Sequence, residues 1–519
     1  MKGGVLFAVA ILLFAAFLNF RGIDREKYEN DEALWILQGQ KYWPLFSSGQ
    51  WDRREWNDFD SSWGTPNPPV AKYLLGCALA AQHVQWKWDG SPPPANVLAA
   101  ARASSAIAGV LGCAGILIIG FLALSQRAAL YSGLLLATSP TWISASRHAM
   151  TDIYGASLAI LSVVPFLLAL KEMEKRRRAL PIMALLGCSG LMAGLAVGAK
   201  LNAASTPVAA GIVLLILVIG EVKRMGSGRN HRAWLLLVSG IVYAIAAMGI
   251  FVLLNLHLHE DTWGRFAKMI DWWTRMTEQR VASAEKWKLN AFDPEGKGLR
   301  VFFGKLFMLP KWIALLLLLP LIAAILARRR SGSSRSSSRL IIWTLLLAIA
   351  VLLGWWPNQI LHSWLFWFGC IAAALALVLF GKAPAKMTPL RLPVFAIVVW
   401  GIVCAFFVWR MTFIPWLRYY LPVLPWLALL AGFGLSAFRD DLRATFGPWP
   451  ARLVDAALIF GSLSVAATFP DYGAARMQNM SLAGGTTYGI LLGLTIASLA
   501  AAILTSFVQA RRAVIKDNS

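Results

Sequence analysis

A few acidic and basic residues stand at defined places in an otherwise apolar chain. Tyr28-Glu29-Asn30-Asp31-Glu32-Ala33-Leu34-Trp35 follows an apolar run at residues 4–19, and Arg147-His148-Ala149-Met150-Thr151-Asp152 separates two later runs. Carboxylates beside a membrane are costly unless they are solvated, paired or used. Asp31, Glu32 and Asp152 are therefore the candidate catalytic acids and bases. Neighbours on a helix point about 100° apart, so Asp31 and Glu32 cannot share one target. Asp31 falls on a face with Trp35 and Gln38, Glu32 on a face with Ile36, and the polar company favours Asp31 as the residue lining a site. The alternative for both acidic positions is a helix start, with Asn30 capping the helix that holds Asp31 and Asp152 capping its own.

Cations accompany these acids. Arg147 lies close to Asp152 in sequence, as an anion clamp would. Lys200 ends the apolar run Gly194-Leu195-Ala196-Val197-Gly198-Ala199. It either snorkels to the surface or holds a phosphate. Arg418 starts another run, where a guanidinium suits phosphate geometrically, and Arg410 is a weaker candidate of the same kind. His257-x-His259-Glu260-Asp261 has no spacing specific to a metal, and there is no Walker lysine motif, no Gly-rich phosphate loop and no HExxH. No metal or other cofactor is expected.

The elements that position these residues are membrane helices. The chain has 519 residues, 58% of them hydrophobic, in continuous apolar runs rather than in alternation. Runs of this length must satisfy their backbone internally and are read as helices. A window of roughly 19 residues gives about 14 spans, near 4–19, 97–125, 128–145, 152–170, 181–199, 203–220, 233–254, 311–327, 340–356, 362–380, 392–409, 419–437, 453–469 and 487–508. The expected fold is an all-α integral membrane bundle of about 13–14 transmembrane helices, one polytopic domain over 1–519.

The net charge of +23 is a topology signal rather than a sign of nucleic-acid binding. Basic clusters at Lys171 with Lys175-Arg176-Arg177-Arg178, at Lys223-Arg224, at Arg328-Arg329-Arg330 and at Arg511-Arg512 fall on alternate loops. Such clusters mark the cytoplasmic side, which places both termini inside and also favours contact with anionic membrane lipids. Residues 20–96 then form a first external loop with the Asp31 motif, 97–254 the core helices, 255–310 a second external loop and 311–519 the C-terminal helices. The first loop is rich in Trp and reads as interfacial, with 69–86 a surface helix after a Pro pair. Residues 262–288 form an amphipathic helix on Phe266, Met269, Ile270, Trp273 and Met276, either a plain interfacial helix or a lid over an acceptor. The five cysteines are scattered in apolar runs and read as small buried hydrophobes.

The ordered set of one span, Asp31-Glu32-Ala33, Asn67-Pro68-Pro69 with Lys72, Arg147 to Asp152, Gly198-Ala199-Lys200 and Arg418-Tyr419-x-Leu421-Pro422 resembles the GT-C glycosyltransferases. The likeness is to their protein O-mannosyltransferase and aminoarabinose transferase branch, dense over residues 1–220 and thin afterwards except at 418–425. The family often has His where Asn67 stands. The resemblance implies a GT-C-like bundle in the inner (plasma) membrane, with interfacial helices in its external loops and an active site on the external face. It implies glycosyl transfer from a polyprenyl-phosphate sugar donor to an acceptor hydroxyl on protein, lipid or glycan. By it Asp31 is the general base, and Lys72, Arg147, Lys200 and Arg418, with Tyr419 in the same motif, meet the donor phosphate. The competing class is a transporter or flippase for a lipid-linked or anionic substrate, whose charges would line a path at the midplane.

Overall fold

The computed structural model describes residues 2–26, 28–51, 67–175, 179–224, 231–259, 261–286, 392–411, 418 and 421–472, with two isolated positions at 494 and 498. Its described elements are helices: α1 (Lys2–Phe20), α2 (Asn30–Ser47), α3 (Val70–Ala81), α4 (Ala95–Ala123), α5 (Gln126–Ala137), α6 (Pro140–Arg147), α7 (Thr151–Glu174), α8 (Ala179–Ala199), α9 (Ser205–Arg224), α10 (His231–Leu254), α11 (Thr262–Lys286), α12 (Leu392–Met411), α13 (Leu424–Phe446) and α14 (Pro448–Tyr472). Among the described residues, six helices are long and apolar enough to cross a membrane. The expected spans at 311–327, 340–356 and 362–380, the run at 487–508 apart from positions 494 and 498, and the basic loops beyond residue 328 lie outside the described residues.

The run at 128–145 is not one helix. It breaks at Thr138-Ser139, between α5 and α6, because Pro140 has no N–H to continue the ladder and starts a new helix at its first position. The surface helix expected over 69–86 stops at Ala81, and His83 follows with a positive φ of 52°.

One end of the bundle collects α2 and α3, the starts of α4 and α7, the ends of α6 and α8, and Arg418. Arg102 of α4 meets Glu32, Ala149 before α7 meets Glu32, Lys200 after α8 meets Asp152, and Arg418 meets Asp31. The opposite end joins α7 to α12 through Glu174 and the Leu392 amide, and α5 to α13 through Arg127 and Asp440.

Two close approaches bring α2 and α7 to their partners. A Cβ on Gly76 of α3 would strike the Gly39 carbonyl of α2, so these helices cross backbone to backbone. A Cβ on Gly155 of α7 would meet the Lys200 stem, so its absence admits that lysine. Helix α11 begins seated on protein: Phe266 and Met269 pack on Phe251 and Leu258. Ile270, read as part of the same apolar face, is exposed.

Candidate active site

The site is built on the turn that leads from α1 into α2. Arg102 donates from Nη1 to the carbonyls of Ile23 (2.9 Å) and Glu26 (3.0 Å). Arg147 donates to the carbonyls of Leu18 (3.0 Å), Arg21 (2.6 Å) and Gly22 (3.1 Å), and its Nε to the Glu26 carboxylate (2.6 Å). These carbonyls include orphans at the C-terminal end of α1, which need donors wherever water is scarce. Gly22 takes φ +62°, the left-handed conformation that lets the chain turn there.

Glu32 locks the start of α2 to this clamp. Its side chain is fully buried, and Arg102 grips it through two bonds, Nε to Oε1 at 2.8 Å and Nη2 to Oε2 at 2.7 Å. The Ala149 amide donates to Oε1 (2.8 Å) and the Glu29 amide to Oε2 (3.1 Å). Burial by itself raises a carboxyl, but the Arg102 guanidinium, with His148 and the Ala149 N–H, holds Glu32 below the usual carboxylate range. The cap of α2 is Glu29, in a reciprocal box with Glu32, and not Asn30, which is already helical. Met150, not Asp152, precedes the first residue of α7.

Asp31 points elsewhere, as the helical offset requires. It is 46% exposed, and its carboxylate lies 2.7 Å from Arg418 Nη2. Arg418 also places Nη1 3.7 Å from the Met150 sulfur. Lys200, nearly buried, stands 3.4 Å from the Asp152 carboxylate, 3.2 Å from Thr151 Oγ1 and 5.7 Å from the centre of the Trp35 ring. Asp152 is itself buried.

Lys72 is fully buried on α3. Its Nζ donates to the Asn67 carbonyl (2.8 Å) and sits 4.7 Å from the centre of the Tyr42 ring. That bond uses the backbone of residue 67, which His or Asn supplies equally. Burial, and after it the charge of Lys200, pushes the Lys72 ammonium down to about 7. The two buried lysines are thus near enough for the charge of one to oppose the charge of the other.

The fold therefore brings Asp31, Arg418, Lys72, Lys200 and Asp152 to one end of the bundle. Glu32 and Arg147 are there too, but occupied in holding the turn. Tyr419 lies outside the described residues. Of the His257 motif, His259 Nε2 bonds the Val252 carbonyl and Asp261 accepts from the Gly264 amide. Sequence reasoning missed Arg102. The available signal was an arginine inside an apolar run, which calls for a partner by default.

Residues 95–251, from α4 through most of α10, match the family model described as dolichyl-phosphate-mannose-protein mannosyltransferase. No curated protein matches the chain. Among solved structures, ArnT from Cupriavidus metallidurans bound to undecaprenyl phosphate is similar at 16% identity and TM-score 0.47, over 97% of this chain and 78% of that one. The archaeal oligosaccharyltransferase AglB from Archaeoglobus fulgidus is similar at 14% identity and TM-score 0.46, over 98% and 56%. The Pmt1-Pmt2 complex of S. cerevisiae bound to the sugar donor is similar at 16% identity and TM-score 0.37, over 51% and 34%. The resemblance to the mannosyltransferase branch, read from the ordered motifs, is borne out over residues 95–251 by the family match.

Proposed function

We propose that this protein is a membrane glycosyltransferase that moves a sugar from a polyprenyl-phosphate donor to an acceptor hydroxyl at the external face. The observation that carries the reading is the convergence of Lys72, Lys200 and Arg418 on α2 beside the half-exposed Asp31 carboxylate. A donor phosphate held among these cations would be stabilised by their charge. The family description of the matched segment names a dolichyl-phosphate sugar, which is the same donor chemistry.

In this reading Asp31 takes the proton of the acceptor hydroxyl as its oxygen bonds the anomeric carbon. The bond from that carbon to the phosphate oxygen breaks, and polyprenyl phosphate leaves with the electron pair. A positioned base contributes on the order of 10²–10⁴-fold. Lys72, Lys200 and Arg418 stabilise the charge that grows on the phosphate. Arg418 lies against Asp31, so one guanidinium can meet both the base and the donor phosphate. Asp152 orients Lys200, while Glu32, Arg102 and Arg147 position α2. The sugar arrives activated, so no metal or nucleotide cofactor is needed.

The basic loops orient the protein with both termini in the cytoplasm of a cell whose inner membrane it spans. The amphipathic α11, beside Phe251 and Leu258 at the α10 end, belongs to the acceptor side.

The test is to incubate purified protein with a panel of polyprenyl-phosphate sugars and measure free polyprenyl phosphate. Release that depends on sugar, acceptor and Asp31 supports the reading; no release from any donor defeats it. Orientation is tested with single cysteines at Ser48 and Ser334 in a cysteine-free background and an impermeant thiol reagent on intact cells. Labelling at Ser334 without permeabilisation reverses the topology.

A further inference from the structure

Helix α2 presents Asp31, Trp35, Gln38 and Tyr42 at steps of four, three and four residues, which puts them on one stripe. Three members of the stripe have cationic partners in the site: Arg418 on Asp31, Lys200 over Trp35 and Lys72 over Tyr42. Gln38 stands between the two lysine-bearing rings. It is 5% exposed, and its buried Oε1 has no hydrogen-bond partner. A buried amide oxygen without a donor costs free energy comparable to a lost hydrogen bond, so such a group in a binding site points to a ligand that satisfies it.

The chemistry of that ligand is constrained. The unpartnered atom is the carbonyl oxygen, which needs a donor; an ionised phosphate supplies none, whereas a sugar hydroxyl does. A sugar hydroxyl donates to the carbonyl or, with the amide turned over, accepts from its NH2. Two flanking aromatic rings and one amide suit a polyol with apolar faces. Gln38 lies roughly 10 Å along the helix from Asp31, which is the order of a hexosyl phosphate in length.

We infer that Gln38 is a specificity-determining residue that hydrogen-bonds one hydroxyl of the sugar being transferred. The inference rests on the transferase reading above and adds a subsite to it.

The test compares the wild type with Gln38→Met, which keeps length and removes hydrogen bonding. The probes are decaprenyl-phosphate mannose, glucose and galactose, their single-deoxy analogues, and sugar-free decaprenyl phosphate. In the wild type, removing one particular hydroxyl should lower kcat/KM by about 10-fold or more. Gln38→Met should lose a similar factor with the intact sugar and nothing further with that deoxy analogue. Sugar-free decaprenyl phosphate should bind both proteins equally, and thermal melting should match. If Gln38→Met keeps the full dependence on every hydroxyl, or weakens the sugar-free lipid as much as the sugar donor, the inference is overturned while the transferase reading stands. If the wild type consumes none of these donors, the transferase reading falls and takes the inference with it.

Discussion

The site end of the bundle holds two pairs of buried cations with opposite surroundings. Arg102 and Arg147 are saturated: carboxylates and the carbonyls of Leu18, Arg21, Gly22, Ile23 and Glu26 occupy their planar forks. Lys72 and Lys200 sit over aromatic rings, and the charge of one opposes the charge of the other. The arginines fix backbone, a task suited to several donors in a rigid geometry. The lysines have fewer polar contacts: Lys200 lies beside Asp152 and Thr151, and Lys72 donates to the Asn67 carbonyl. Four cations of similar burial are thus told apart by the partners each one meets.

Substitutions can break this contrast from either side. The largest effect is expected at Arg102. Arg102→Leu leaves Glu32 buried without its partner and should cost about 3–5 kcal/mol, read as a lower melting temperature and poor yield of folded protein. A melt like that of the wild type would mean that the clamp does not hold α2. Next is Asp31→Asn, which should fold normally and lose turnover by at least about 100-fold. Near-normal turnover would remove Asp31 from the mechanism. Glu32→Gln should instead weaken stability more than chemistry, since its oxygens face Arg102 and backbone amides.

Lys200→Met sharpens the comparison from the lysine side. It leaves the buried Asp152 carboxylate without its cation, so the melt should fall; in the protein that folds, donor KM should rise and kcat fall by about 10-fold together, with acceptor KM unchanged. Arg418→Lys should be impaired in the same sense, because an ammonium does not replace a bidentate guanidinium. If only acceptor KM moves, these cations serve the acceptor.

The smallest effect is a pH profile. Lys72 loses its proton as pH rises through about 7. Donor affinity should therefore be full below that pH and weaken above it, approaching about tenfold per unit, since the phosphodiester donor itself stays singly charged. Lys72→Met should bind more weakly at low pH and show a flat profile. An unchanged slope in that variant would assign the titration to another group.

Much of the architecture was legible in the sequence. The runs near 97–125, 152–170, 181–199, 203–220 and 233–254 became α4, α7, α8, α9 and α10 with ends shifted by a few residues. Length and apolarity suffice for that, because lipid leaves a chain few other choices. The break at Pro140 was written in the sequence as well, but an apolar window averages over it. Asp31 and Glu32 were separable by helical offset alone. The partners of Arg147 and Arg418 were not, since the two arginines differ only in what lies opposite them.

The sequence by itself determined a polytopic helical protein with its acids and unexplained cations near helix ends, because hydropathy and charge act over a few turns of one segment. The tertiary structure decided who meets whom. Asp31 meets Arg418 from the far half of the chain, Glu32 meets Arg102, and Lys72 comes close enough to Lys200 to feel its charge. Such pairings depend on how helices rotate and cross, as at Gly39 with Gly76 and Gly155 with Lys200. No local pattern encodes that rotation, which is fixed by the simultaneous packing of segments remote in sequence.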